Sequence, residues 1–170
     1  MIVRPTKAKE EFALVNVLFV CLGNICRSPS AEGIFRACVE REGLSDRIGV
    51  DSAGTGAWHI GKSPDPRARA AALRRGVDLS GLRARVARPE DFHRFEYVLA
   101  MDHENLADLS RMCPPGMESR LSLFLDFVPA LGERQVPDPY YGGTQGFEVM
   151  LDLIEHGSRE LLAHIRRTHF

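Results

Sequence analysis

The stretch Val20-Cys21-Leu22-Gly23-Asn24-Ile25-Cys26-Arg27-Ser28-Pro29 combines residue types suited to chemistry on an anion. Cys21 brings a sulfur that can ionise, and Arg27 brings a planar guanidinium that can grip two oxygens at once. If a buried strand ends at Cys21 and a helix starts at Ser28-Pro29, then Leu22, Gly23, Asn24, Ile25 and Cys26 must wrap in front of a helix N-terminus. Such a loop aims several main-chain N–H groups at one point, so a tetrahedral anion belongs there, and the same donors stabilise a thiolate. Once the loop closes, Arg27 can return to its centre, where a lysine would offer only a point charge. Gly23 and Asn24 are the types that best tolerate left-handed backbone angles, which a tight ring calls for. The Asn24 amide can brace the loop, and the Ser28 hydroxyl can hydrogen-bond the sulfur. Cys and Arg at this spacing recur by chance in an arginine-rich chain. The strand before, Gly-Asn within and Ser-Pro after carry the reading.

The surrounding pattern supplies those elements. Val15 to Cys21 is rich in β-branched and aromatic residues and reads as a strand covered on both faces. Ser28 as cap and Pro29 as first helical residue open a helix whose stripe is Ile34, Phe35, Cys38 and Val39, ending at Gly43. A second strand is expected over Ile48 to Ser52, and a helix from Asp65-Pro66 to Gly76. A third strand follows over Tyr97 to Met101, with a helix from Asp102 to Met112, and a fourth strand over Leu121 to Leu125. Arg85 to Ala87 stays ambiguous. From Thr144 onward, Phe147, Met150, Leu151, Ile154, Leu161, Leu162 and Ile165 recur at helical spacing. Strands alternating with helices predict an α/β fold, a three-layer sandwich with a central, mostly parallel four-stranded sheet and helices on both faces.

The 170 residues fit one domain over 14–170, preceded by a loose N-terminal extension over 1–13. Arg4, Lys7 and Lys9 before the apolar run imitate a secretion signal. Glu10, Glu11 and Asn16 interrupt the pattern, however, and Val20 is not the small residue that cleavage requires. A net charge of -1 argues against nucleic-acid binding, and no run is long enough to insert into a membrane. Arginines cluster at Arg67, Arg69, Arg74 and Arg75, and again at Arg83, Arg85 and Arg88, as a solvated face or a docking patch. Cys21, Cys26, Cys38 and Cys113 form neither a disulfide framework nor a zinc set, and a cytoplasmic setting fits best. The six histidines show no metal-ligand pairing, so neither metal nor other cofactor is expected.

The segment from Val20 to Pro29 resembles the signature loop of the low-molecular-weight protein tyrosine phosphatases. The resemblance continues through Asp51-Ser52-Ala53-Gly54-Thr55, Trp58-His59-Ile60-Gly61, Pro64-Asp65-Pro66-Arg67, Met101-Asp102 and Asp138-Pro139-Tyr140-Tyr141, in that order and over about residues 15 to 165. It implies hydrolysis of phosphotyrosine and small aryl phosphates through a phosphocysteine. In that scheme Cys21 is the nucleophile, Arg27 and the amides of Leu22 to Arg27 form the phosphate clamp, and Asp138 is the general acid and base. Asn24 and Ser28 support the loop, and Trp58, Tyr140 and Tyr141 line the substrate slot. Pro137 and Pro139 stiffen the segment that carries Asp138. Cys26, close to Cys21 after loop closure, suits a reversible redox guard, while Cys38 and Cys113 read as core thiols. The implied partner is a tyrosine-phosphorylated protein, a bacterial tyrosine kinase among the candidates, met by a monomer or weak dimer. Two rivals are weighed against this. An arsenate reductase on the same loop would need a cysteine relay that the chain lacks, and a non-enzymatic phosphotyrosine-binding module would need neither thiol nor acid.

Overall fold

Alternation along one strand organises the molecule. Strand β1, Val15–Cys21, buries Val15, Val17, Phe19 and Cys21 in one hydrophobic cluster and Leu18 and Val20 in another, because successive side chains leave opposite faces of a sheet. The structure, a computed structural model, describes residues 15–170; the expected extension over 1–13 lies outside the described residues.

Strand β2, Ile48–Gly54, flanks β1 on one side. Strand β3, Tyr97–Ala100, lies on the other, with β4, Leu121–Leu123, beyond it, giving the order β2-β1-β3-β4. Every pairing is parallel, so the expectation of a mostly parallel sheet is met in full. Helices α1 (Arg27–Arg41), α2 (Pro66–Arg74) and α5 (Thr144–His169) cover the face that carries Phe19. The short α3 (Asp91–Arg94) and α4 (His103–Met112) cover the face that carries Leu18 and Val20. The α5 residues singled out by periodicity are all buried, and Phe19 meets Phe35 and Phe124 edge-on, with ring centroids 5.6 and 5.1 Å apart. Among the described residues no helix is long and apolar enough to cross a membrane.

Several boundaries differ from the sequence expectation, each for a local reason. Helix α1 begins at Arg27 with Cys26 at its cap, so Ser28 is not the cap and Pro29 is not the first helical residue. The Ser28 hydroxyl is engaged by the loop instead. Strand β2 runs two residues further than expected, because Ala53 and Gly54, weak strand formers, are held opposite Val20 and Cys21 by sheet pairing. Arg85 to Ala87 contributes one bridge, Val86 to Gly54, which continues the sheet at the end where β1 stops. Strand β4 stops at Leu123, where Asp126 accepts a hydrogen bond from the Leu123 amide and a tight helical turn, Phe124–Phe127, begins. Helix α3 has no counterpart in the sequence reading. Asp65 and Asp102 cap α2 and α4 as sequence suggests, accepting from the amides of Arg67 and Asn105 at 2.8 Å each.

Candidate active site

Cys21 is the last residue of β1, opposite Gly54, and the chain turns there into α1 over only five residues. That turn needs Asn24 at a φ of 55°, the only positive value at a non-glycine position among the described residues. The expectation that Gly23 shares this geometry fails. Its φ is not positive, and it is small for another reason: a Cβ there would stand 2.9 Å from the His59 ring. Gly54 is constrained more firmly, since a Cβ there would lie 2.7 Å from the Leu22 carbonyl oxygen, a backbone atom that cannot move aside as the His59 ring can.

Behind the loop runs a buried polar chain. The Asn24 amide donates to Ser28 Oγ at 2.8 Å and to Ser52 Oγ at 2.9 Å, and its Oδ1 accepts from the Arg85 amide at 3.0 Å. Ser52 donates in turn to Glu32 at 2.7 Å. Ser28 Oγ lies 2.9 Å from the Cys21 sulfur. Because Ser28 already accepts from Asn24, its own proton is free to point at the sulfur or at the Ala53 carbonyl 3.3 Å away. Asn24 and Ser28 thus sit under the loop, and every member of the chain is satisfied, which fixes the loop's shape.

Arg27 is 2% exposed and held from one side. Its Nη1 donates to Asp102 at 2.6 Å and to the Val136 carbonyl at 3.1 Å, while Nη2 faces Asp138 at 3.5 Å. Burial works against this charge, but the Cys21 sulfur, Asp102 and Asp138 outweigh it and hold the guanidinium above its ordinary range. Asp138 accepts from the Tyr140 amide at 3.0 Å, a local turn that leaves its carboxyl at the cleft mouth. Arg67 braces the same segment. It pairs with Asp65, donates to the Tyr140 carbonyl at 3.0 Å and lies 5.5 Å from the Tyr140 ring centroid.

These groups enclose a cleft of about 420 Å³. Cys21, Cys26 and Arg27 line it together with Leu22, Gly23 and Ile25, while Trp58, Asp138, Tyr140 and Tyr141 stand at its sides. Tyr140 and Tyr141 meet edge-on at 4.9 Å, and Tyr141 and Trp58 are exposed. Cys26 is 4% exposed, and burial, reinforced by Asp65, pushes its thiol up. All four cysteines are unpaired. Cys38 lies in the core as expected, whereas Cys113 is half-buried beside the cluster under α4.

Sequence reasoning passed over three contributors. His59, read from the sequence without a role at the site, lines the cleft. Asp102 anchors Arg27, and Glu32 closes the polar chain behind the loop. Asp102 was the most accessible of these, since a carboxylate at the end of a strand beside β1 must stand on the same sheet edge as Cys21.

A cysteine at a strand end, ringed by a helix-starting loop and faced by an arginine and a carboxylate on a parallel α/β sheet, is an arrangement fit to hold a tetrahedral oxyanion, the class of site a phosphatase needs. The sequence profile of the low molecular weight phosphotyrosine protein phosphatases matches residues 16–169, and the chain belongs to that family of hydrolases. It is 43% identical over 154 residues to the low molecular weight protein-tyrosine-phosphatase YfkJ of Bacillus subtilis, covering 91% of this chain and 97% of the relative. The YfkJ crystal structure matches with a TM-score of 0.88, covering 92% of this chain and 98% of that one. The human low molecular weight phosphotyrosine protein phosphatase is 41% identical over 144 residues, covering 82% of this chain and 89% of the relative. A Drosophila structure, DARP, described as an arginine phosphatase, is 31% identical with a TM-score of 0.82, covering 88% and 97%.

Proposed function

We propose that the protein hydrolyses phosphotyrosine in protein substrates, and small aryl phosphates, through a phosphocysteine intermediate on Cys21. The observation that carries this reading is the meeting of Cys21, Arg27 and Asp138 in one cleft, with one edge of the guanidinium tied to Asp102 and the other turned toward Asp138. In the first step the Cys21 sulfur attacks phosphorus in line. The S–P bond forms as the P–O bond to tyrosine breaks, and Asp138 gives its proton to the departing phenolic oxygen. In the second step Asp138 takes a proton from a water that attacks phosphorus. The S–P bond breaks, and inorganic phosphate leaves. A phosphate monoester carries close to two negative charges, so positioning and charge neutralisation account for most of the rate; the amides of residues 22–27 and Arg27 Nη2 supply both. The Ser28 hydroxyl supports the sulfur when it becomes the leaving group. Trp58, Tyr140 and Tyr141 sandwich the substrate ring, which favours phosphotyrosine over the shorter phosphoserine.

The test is a panel of phosphotyrosine, phosphoserine and phosphoarginine peptides and arsenate with wild type and Asp138→Asn. Phosphotyrosine should be the preferred substrate. In Asp138→Asn its turnover should fall by about 10²-fold or more while phosphate binding persists, with a smaller loss on p-nitrophenyl phosphate, whose leaving group needs little protonation. Unchanged phosphotyrosine turnover would remove Asp138 from the mechanism, and a preference for phosphoarginine would replace the substrate. Arsenate reduction is disfavoured because Cys26 is the only other cysteine lining the cleft among the described residues.

Cys26 serves in the same reading as a redox guard. Peroxide takes the Cys21 sulfur to a sulfenic acid, and the Cys26 thiol condenses with it to a disulfide, releasing water and sparing Cys21 further oxidation. Cys26→Ser should recover far less activity than wild type after peroxide followed by dithiothreitol; equal recovery overturns the role. The unpaired cysteines suit a cytoplasmic setting, and the physiological partner is a tyrosine-phosphorylated protein, with a bacterial tyrosine kinase one candidate, met by a monomer or weak dimer.

A further inference from the structure

In the cluster of Arg83, Arg85 and Arg88, one member is neither part of a solvated face nor free to dock a partner. The Arg85 guanidinium is forked between two carboxylates: Nε and Nη2 meet Asp51 at 3.1 and 3.0 Å, and Nη1 and Nη2 meet Asp91 at 3.1 and 3.2 Å. Asp91 is 2% exposed at the start of α3, and Asp51 lies on β2 with its Oδ1 accepting from the Ser52 amide at 2.8 Å. Burial works against the Arg85 charge, but Asp91 and Asp51 outweigh it. Arg85 does not line the cleft; its backbone reaches the site from behind.

The segment over 85–87 joins the sheet through one bridge, in which the Gly54 amide donates to the Arg85 carbonyl and the Ala87 amide to the Gly54 carbonyl, each at 2.8 Å. The guanidinium adds ties to β2 and to α3, and so helps to set where the Arg85 amide stands. That amide donates to Asn24 Oδ1 at 3.0 Å. A backbone N–H only donates, so it keeps Oδ1 on its own side and turns Nδ2 toward Ser28 and Ser52. Ser28 Oγ then accepts from Asn24, and its single proton is left for the Cys21 sulfur at 2.9 Å or the Ala53 carbonyl at 3.3 Å. With the Asn24 amide reversed, Oδ1 would draw the Ser28 proton away from the sulfur, and Nδ2 would confront the Arg85 N–H, donor against donor. The direction of each bond from Arg85 to Cys21 therefore follows from one N–H.

We propose that Arg85 is a positioning residue for breakdown of the phosphocysteine. Its guanidinium holds the amide that orients Asn24, and this keeps the Ser28 proton on the sulfur as the S–P bond breaks. The inference rests on the phosphocysteine reading and extends it to a residue that touches neither substrate nor sulfur.

The experiment follows p-nitrophenyl phosphate in the first turnover and in steady state, for wild type, Arg85→Met and Arg85→Lys, each with and without Ser28→Ala. With this leaving group, breakdown of the phosphocysteine should limit kcat. In Arg85→Met kcat should fall about 10-fold and KM should fall with it, while the nitrophenol burst stays stoichiometric with protein. Arg85→Lys keeps a charge beside buried Asp91 without the fork, so it serves even where the Met variant fails to fold, and its kcat should fall about threefold. With Ser28→Ala already present, either Arg85 substitution should cost less than about twofold more, because the proton it steers is gone. A kcat loss matched by an equal loss of burst marks a merely structural arginine and overturns the proposal. The same loss with and without Ser28, or wild-type kcat in Arg85→Lys, overturns it too. Wild-type turnover with no phosphoryl group trapped on Cys21 counts instead against the phosphocysteine reading.

Discussion

Cys21→Ser should abolish turnover, by at least about 10⁴-fold on both phosphotyrosine and p-nitrophenyl phosphate, while leaving phosphate-ester binding within about tenfold of wild type. The asymmetry follows from what each group does. In the proposed mechanism binding draws on the loop amides and Arg27, whose anchors are Asp102 and the Val136 carbonyl and not the sulfur. Turnover needs an atom that attacks phosphorus and later leaves it. A serine hydroxyl gives up its proton far less readily than a thiol, and the one side chain hydrogen-bonded to this position is another hydroxyl, Ser28, which is a poor base. An activating base is therefore missing for serine. Rapid-quench mass spectrometry on wild type should find the phosphoryl group on residue 21, and calorimetry on the variant should find a bound, unhydrolysed phosphotyrosine peptide. Phosphate found on another residue, or residual turnover near wild type, would dismiss the covalent mechanism.

The parts of this site that lie within one stretch of chain were legible in the sequence, and the parts brought together by sheet pairing were not. Residues 20–29 carry their strand, their turn and their helix start in order, so the loop and the placing of Arg27 at its end follow from local chemistry. Even there the cap was misplaced by two residues. Ser28 has the right type for a cap, but loop closure turns its hydroxyl to the Cys21 sulfur, and Cys26 takes the cap position without a side-chain bond. Gly23 and Asn24 were equally fit for a left-handed turn; the approach of His59, far along the chain, explains the glycine without it. Asp102 reaches Arg27 only because β3 lies beside β1, and Glu32 reaches Asn24 only through Ser52 on β2. The fourth strand and the weakly strand-forming end of β2 show the same limit, since pairing and one side-chain hydrogen bond set their ends. Asp138 and the aromatic residues were placed through family resemblance rather than from spacing.

Arg27→Lys should lower kcat/KM by about 10³-fold, although charge is conserved. The guanidinium works as a bridge. Nη1 is held by Asp102 and the Val136 carbonyl, and this fixes the plane of the group so that Nη2 stands at the cleft beside Asp138. A lysine ammonium at the end of a different stem can satisfy the buried Asp102 carboxylate or reach the phosphoryl oxygens, but not both in the geometry of a planar fork. If it stays with Asp102, two phosphoryl oxygens lose their shared donor as charge shifts between them in the transition state, and kcat falls. If it moves to the phosphate, Asp102 is left largely buried without its partner, at 18% side-chain exposure, and the variant loses stability as well. The loss should therefore appear in kcat as well as KM, with a melting temperature that separates the two cases. Asp102→Asn supplies the control. It keeps an oxygen to cap α4 but weakens the hold on Nη1, so it should fall between wild type and Arg27→Lys in kcat. Wild-type kcat in Arg27→Lys would mean that a simple positive charge suffices and that the bridge to Asp102 has no catalytic consequence.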